Sequence, residues 1–597
     1  MARLHGFLKK YKVLSPGKEA VVQEEYRLTY ARLDTSVDRL AGILHQNGIA
    51  SGDRVCLLLD NSPDFVIAYL AILQVGGVVV PLNPSTTLEA LTHTLEDCSP
   101  KALFLEKRIH SYAGNLISLG FGDPITLGEG GVEIFFLSSY SRPFGVSHPH
   151  PPVTAFKGSF FTSPRVDFPV FPSSSHSHTC RDKVEKPDPV TWERGHLATS
   201  SPSPLSEASG EGKEEIRQSV TPSAKLYPGA YAFKPSGMQR DIEGREKDIE
   251  DDLAAIIYTS GTTGQPKGVI LTHGNLEVIA ETGKEFLKLT SRDRIGILVP
   301  LFHLYGLREI DGCLRAGGTL ILAKNLTYPA QVLKQFHEEQ VTGFSGVPSG
   351  LTLFVDRYDS LLKRCQKHLR YITLGTSPAP PSLLTQLKTA LPTTRLFVTY
   401  GLTEVSRVCF REVTELDRKA GSVGQPYPGV TLSILDEQGQ PLGVNKPGRV
   451  AVKSSMIMKG YWNRPDLTQQ CLRSDGTLLT PDYGWLDSDN YLFLLGRADE
   501  LINSGGEKIS PEEIEAVLRK HPAVREVAVT GIPDPAGILG EVVKAWVVWD
   551  PKFTPDPHEL MGYCARHLES FKVPRVIEFS DSLPKTVLGK TQRSLLK

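Results

Sequence analysis

Residues 254–273, AAIIYTSGTTGQPKGVILTH, constrain this chain more than any other stretch. A β-prone apolar run from Ala254 to Tyr258 leads into Thr259, Ser260, Gly261, Thr262, Thr263 and Gly264, and a second run from Gly268 to Leu271 leads out. The pattern predicts strand, loop, strand. Gly261 and Gly264 let the backbone approach a bulky anion, with freed N–H groups turned toward it. The hydroxyls add donors, and Lys267 brings a mobile positive charge. Such a loop suits a polyphosphate. It is not a Walker A loop, because no G-x-x-x-x-G-K-[ST] occurs; at the nearest approach, Gly589-Lys590-Thr591, Pro584 stands at the first glycine position.

Upstream, helix and strand alternate. Leu33, Val37, Leu40, Ala41 and Leu44 share a helical face closed by Gly48, and Arg54–Leu59 reads as a strand. Asn61-Ser62-Pro63 starts a second helix that stops at Gly76-Gly77. Val78–Leu82 then reads as a buried strand before a third helix near 87–97. That spacing implies parallel pairing and an α/β layer fold. Between 141 and 210, Ser and Pro make up about a third of the residues and periodicity disappears. Such composition predicts disorder over most of 108–250, with His148, His150, His176, His178 and Cys180 solvated rather than gathered round a metal.

Further on, Leu276, Ile279, Ala280 and Phe286 suggest a helix, Pro300-Leu301-Phe302-His303 follows it, Tyr371–Leu374 reads as a strand running into Gly375-Thr376-Ser377-Pro378-Ala379-Pro380, and Thr399-Tyr400-Gly401-Leu402-Thr403-Glu404 marks a strand exit. The last hundred residues form a compact unit: Ser510-Pro511-Glu512-Glu513 is a capping box, Glu526–Thr530 and Val542–Trp549 are strands, and Leu560 to Leu568 marks a helix.

The string YTSGTTGQPKG resembles the phosphate-loop signature of the adenylate-forming enzymes, which include acyl-CoA synthetases, peptide-synthetase adenylation domains and luciferases. The resemblance runs over about 1–107 and 251–597. It implies an α/β fold, with a large N-terminal domain of layered sheets (1–107 and 251–497) and a small α+β domain (498–597), interrupted by an insertion at 108–250. It gives adenine stacking to Tyr400, phosphate contact to Thr403, and a Mg²⁺ ligand to Glu404. Gly401 lies in the same motif, and Ser377 falls where relatives place small residues against adenine; here Ser377-Pro378 replaces two glycines. Asp482, within Thr480-Pro481-Asp482-Tyr483-Gly484, resembles the acceptor for ribose hydroxyls, with Pro481 for the usual glycine. Arg497 is implied at the ribose and Asp499 as the hinge. Lys590, in Pro584-Lys585-Thr586-Val587-Leu588-Gly589-Lys590, resembles the catalytic lysine, and Lys508 lies on the face swung in for the second step. His303 is expected to border the acid; no Asp follows Phe302, which disfavours an amino acid.

The resemblance thus implies attack of a carboxylate on ATP, release of pyrophosphate with Mg²⁺ at Glu404, and transfer of the acyl group to coenzyme A. The expected acid is apolar, fatty or aryl. Two alternatives stand beside this reading: loading of an acyl carrier protein, and a degenerate nucleotide binder without turnover. Composition is compatible with all three. Lys plus Arg (66) and Asp plus Glu (67) nearly cancel, so no global field selects nucleic acid or an anionic membrane. The eight cysteines show no C-x-x-C pairing, no run approaches a membrane span, and neither a signal peptide nor a peroxisomal tail is evident; the expected location is the cytoplasm.

Overall fold

The computed structural model describes residues 6–106, 125–127, 132–136, 253–260, 266–323, 326–415, 419–498, 500–504, 507–535, 539–585 and 591–596. Most of the expected insertion at 108–250 lies outside them. Two short strands fall inside that stretch, however: Val132–Phe136 pairs antiparallel with Ala102–Glu106, and Ile125–Leu127 pairs with it in turn. The sheet therefore continues past residue 107, where sequence reading ended it.

Two large sheets carry the N-terminal domain. One is eight-stranded among the described residues, and its centre is parallel: Arg54–Leu58 lies between Val78–Pro81 and Ala102–Glu106. Leu253–Ser260 joins beside Val78–Pro81 and turns back antiparallel into Pro266–Thr272, the predicted strand–loop–strand. Gly460–Tyr461 completes that edge, Tyr461 pairing with Val269. The second sheet has a parallel block of Arg294–Ile297, Thr319–Leu322, Gly343–Gly346, Tyr371–Leu374 and Arg395–Tyr400. An antiparallel block follows, from Cys409–Glu412 to Thr431–Leu435.

The helices form where the apolar spacing places them. Tyr30–Gln46 buries Leu33, Val37, Leu40, Ala41 and Leu44. In Pro63–Val75 the Ser62 hydroxyl accepts from the Phe65 N–H, Pro63 occupies the first turn, and Gly76 closes the helix at φ 82°. Leu304–Arg315 departs from its own pattern. Its sequence sets Asp311 among Leu304, Leu307 and Leu314 on one face, with Arg308 at the border and Glu309 to the side, and all six are buried. Neighbouring elements cover both sides, since Asp311 accepts from Tyr69 of Pro63–Val75 while Glu309 meets Ser345 of a sheet strand.

The C-terminal domain holds a three-stranded sheet, Val524–Pro533, Glu541–Trp549 and Val576–Phe579, with helices Pro511–Leu518 and Pro557–Ala565 and a core of its own. Half of the expected capping box is present: the Glu513 N–H donates to the Ser510 hydroxyl at 3.4 Å, and the Glu513 carboxylate accepts from Lys572 at 2.7 Å. Arg593 ties the last turn down through Glu500 at 2.5 Å and Glu515 at 2.8 Å. A bridge between Lys585 and Thr591 brackets residues 586–590, which lie outside the described residues. Among the described residues no helix is long and apolar enough to cross a membrane.

Candidate active site

A cleft of about 510 Å³ opens where the ends of both sheets meet. Three predicted motifs converge on it. Thr259 and Lys267 come from the strands of the phosphate loop, His303 from the start of Leu304–Arg315, and Gly401, Thr403 and Glu404 from the exit of Arg395–Tyr400. Arg497 reaches it from the antiparallel block. Close packing shapes the two turns. A side chain at Gly401 would come within 2.0 Å of the Ser406 carbonyl, and one at Gly306 within 2.3 Å of the Pro300 carbonyl. Buried Asn61 fixes the 300–303 segment, accepting from the Leu301 N–H at 2.8 Å and donating to the Val299 carbonyl at 3.1 Å.

One residue absent from the sequence reading connects two motifs. The Tyr461 hydroxyl donates to Glu404 at 2.7 Å, while Lys267 lies 5.9 Å from the centre of the Tyr461 ring. Burial and the Glu404 carboxylate hold the phenol well above its ordinary range, so Tyr461 stays a donor. Its signal, an aromatic in Lys459-Gly460-Tyr461-Trp462, carries no chemistry when read alone. Arg308, Arg449 and Thr376 were likewise missed and line the same cleft. Thr376 holds φ at 75°, where a side chain is rarely tolerated.

The remaining candidates divide. Tyr400 and Asp482 do not line the cleft but meet each other, the phenol donating to the carboxylate. Half-buried Ser377 stands back from the wall, and Gly375 and Thr376 take its place. Pro481 lines the cleft, and its carbonyl accepts from the Ala498 N–H at 2.7 Å. Lys508 pairs through its backbone with Asn503 in the Ile502–Ser504/Glu507–Ile509 hairpin. Gly261, Thr262, Thr263, Gly264, Asp499, Lys590 and the Ser260 side chain lie outside the described residues.

The electrostatics suit a polyanion. Lys267, Arg308, Arg449 and Arg497 line the cleft, and Glu404 is the only carboxylate among its described residues. Burial pulls His303 down to about 4, so it faces the cleft neutral at physiological pH. Among the described residues no cluster of three or more metal-ligating side chains occurs. That donor set still fits Mg²⁺, which binds phosphate-bearing substrates through one or two carboxylates and keeps several waters.

A layered α/β domain, a small α+β domain and a cationic cleft holding Glu404 define a class of enzyme that handles nucleotide phosphates. The family of AMP-binding enzymes matches residues 10–124 and 174–462, and its C-terminal domain matches 513–590; the chain belongs to that family. It is similar to the long-chain-fatty-acid–CoA ligase of Bacillus subtilis, 29% identical over 97% of this chain and 91% of the relative. The 2-succinylbenzoate–CoA ligase of Bacillus licheniformis is 29% identical over 99% of this chain and 98% of the relative. Among solved structures, ATP-bound MatB from Rhodopseudomonas palustris superposes with a TM-score of 0.74 at 25% identity, over 100% of this chain and 98% of that one.

Proposed function

We propose that the protein is an ATP-dependent acid–thiol ligase that makes acyl-CoA from a non-amino carboxylic acid with an apolar body, fatty or aryl. The observation that carries this reading is the meeting of Lys267, His303, Thr403, Glu404 and Arg497, from separate motifs, in one cationic cleft. Similarity to CoA ligases along nearly the whole chain supports the same conclusion.

In the first step a carboxylate oxygen attacks the α-phosphorus of ATP, the bond to the β-phosphate breaks, and pyrophosphate leaves. Bringing a carboxylate to a polyphosphate requires positive charge and alignment from the protein. Lys267 and the hydroxyls of Thr259 and Thr403 hold phosphate oxygens, and Lys590 bridges the attacking carboxylate and the α-phosphate. Magnesium held at Glu404 would neutralise charge on the departing phosphates. Tyr461 orients that carboxylate, and neutral His303 borders the acid without adding charge. In the second step the sulfur of coenzyme A attacks the acyl carbon, and AMP leaves with the bonding pair. The small domain, 498–597, turns about Asp499 between steps, withdrawing Lys590 and presenting Lys508. The large domain comprises 1–107 and 251–497. A carrier-protein thiol is the alternative acceptor, and the cytoplasm the proposed location.

Pyrophosphate exchange over a panel of carboxylic acids tests the reading, and AMP release with and without coenzyme A tests the acceptor. Lys590→Ala is expected to slow exchange by about 10²-fold or more while sparing thioester formation from supplied acyl-adenylate. Equal losses in both would rule out this division of labour, and no exchange with any acid would rule out the ligase.

A further inference from the structure

Helix Leu304–Arg315 brings to the cleft a charge that the nucleotide chemistry leaves unused. Arg308 lines the cleft although it is only 6% exposed. Its guanidinium lies 4.1 Å from the Tyr305 ring centre, and Nη1 donates to the Ser406 carbonyl at 3.2 Å. Its Nε has no hydrogen-bond partner. The nearest carboxylate oxygen, Glu309 Oε1, stands 3.6 Å from that nitrogen and already accepts from the Ser345 hydroxyl at 3.0 Å. Arg407, 3% exposed, adds a second buried guanidinium, and its Nε is likewise without a partner. Two buried guanidiniums thus lie close enough to repel each other, with Glu309 beside Arg308.

A buried guanidinium with an unfilled N–H is costly unless an anion completes it. Burial, helped by Arg407, pulls Arg308 down to about 10, which leaves it charged at neutral pH. The planar fork of Arg matches a carboxylate, with two parallel N–H···O bonds. The polyphosphate, by contrast, is served by Lys267 and the Thr259–Lys267 loop. Leu304 and Leu402 also line the cleft and offer apolar surface to the body of an acid.

We propose that Arg308 binds a second carboxylate at the far end of the acid, so that the preferred substrates are dicarboxylates whose body lies between the reacting carboxyl group and Arg308. This inference rests on the acid–thiol ligase reading and specifies its substrate class. Arg308 is a specificity residue that touches the end of the acid remote from the reaction.

Matched acids test it with the full chain: succinate against butyrate, adipate against hexanoate, and phthalate against benzoate, by pyrophosphate exchange at saturating Mg²⁺ and ATP. In at least one pair the dicarboxylate should be favoured in kcat/KM by about tenfold or more, the worth of one charge-assisted contact. Arg308→Met should cut that preference to near unity, chiefly through KM for the acid, and Arg308→Lys should fall between. Exchange in which the monocarboxylate matches or beats its partner in every pair overturns the proposal without any variant. So does an Arg308→Met protein whose KM for ATP rises equally with every acid, since the arginine would then serve phosphate. Absence of exchange with all six acids overturns this inference, and the ligase reading falls with it only if longer fatty and aryl acids also give no exchange.

Discussion

Tyr461 shows how much of a site can rest on one hydroxyl. It holds Glu404 at 2.7 Å and lies beside Lys267, so it fixes that carboxylate relative to the lysine. Tyr461→Phe keeps the ring and removes only the donor. A hydrogen bond to a charged group contributes about 1.5–3 kcal/mol, so kcat/KM for ATP should fall roughly ten- to a hundredfold with the fold intact. An unchanged ATP dependence would remove Tyr461 from the site. This residue also marks where sequence reading stopped. Lys267, Thr403 and Glu404 were legible as cleft residues because each sits in an ordered motif that resembles the family's. Tyr461 and Arg308 were not. Phenols are common at sheet edges, and an arginine beside a glutamate on a helix ordinarily faces water.

At the scale of elements, strands and helices were legible wherever apolar spacing and stop signals agreed, as in Tyr30–Gln46 and Pro63–Val75. They were less so where tertiary contacts decide. Val132–Phe136 is short and flanked by a compositionally biased region, and its pairing with Ala102–Glu106 and Ile125–Leu127 makes it a strand. The helix after the phosphate loop, His273–Phe286, depends on a cap that also works at long range. Thr272 and Asn275 form a reciprocal capping box, and Asn275 Nδ2 donates to the Ser455 and Ile457 carbonyls at 3.0 Å each. Asn275→Ala should therefore lose a cap and leave the buried Ile457 carbonyl and the Ser455 carbonyl short of a donor, costing about 2–3 kcal/mol. The urea midpoint measures this; a loss below about 0.5 kcal/mol would show that the long-range bonds contribute nothing.

For the whole molecule, a buried titratable group between two helices sets a pH dependence of stability. Asp311 is 1% exposed and accepts from the Tyr69 hydroxyl at 2.8 Å. Burial raises its carboxyl to about 7, against the opposing pull of Tyr69 and Arg315. The unfolded value is near 3.9, so between about pH 4 and 7 the native state binds the extra proton. This contribution is fully present below pH 4 and is lost as pH rises through 7. Asp311→Asn should flatten the urea stability profile across that window and be the more stable form at pH 8, by on the order of 2 kcal/mol. A profile parallel to the parent's would show that Asp311 does not titrate there.

The pairing of Gly460–Tyr461 with Pro266–Thr272 carries a consequence for the molecule's mechanics. The chain leaves the antiparallel block after Gly448–Lys453, crosses to the edge of the other sheet for two residues, and returns for Leu478–Leu486. That excursion is a stitch, and Glu404 is held by the thread it leaves behind. Prising the stitch open would detach Tyr461 from Glu404 and widen the gap between Glu404 and Lys267 in one motion. A nucleotide bridging those two groups would resist that opening with part of its own binding free energy. If a nucleotide bridges them, grip on its phosphates and the seating of this stitch would be linked, and loosening one would loosen the other.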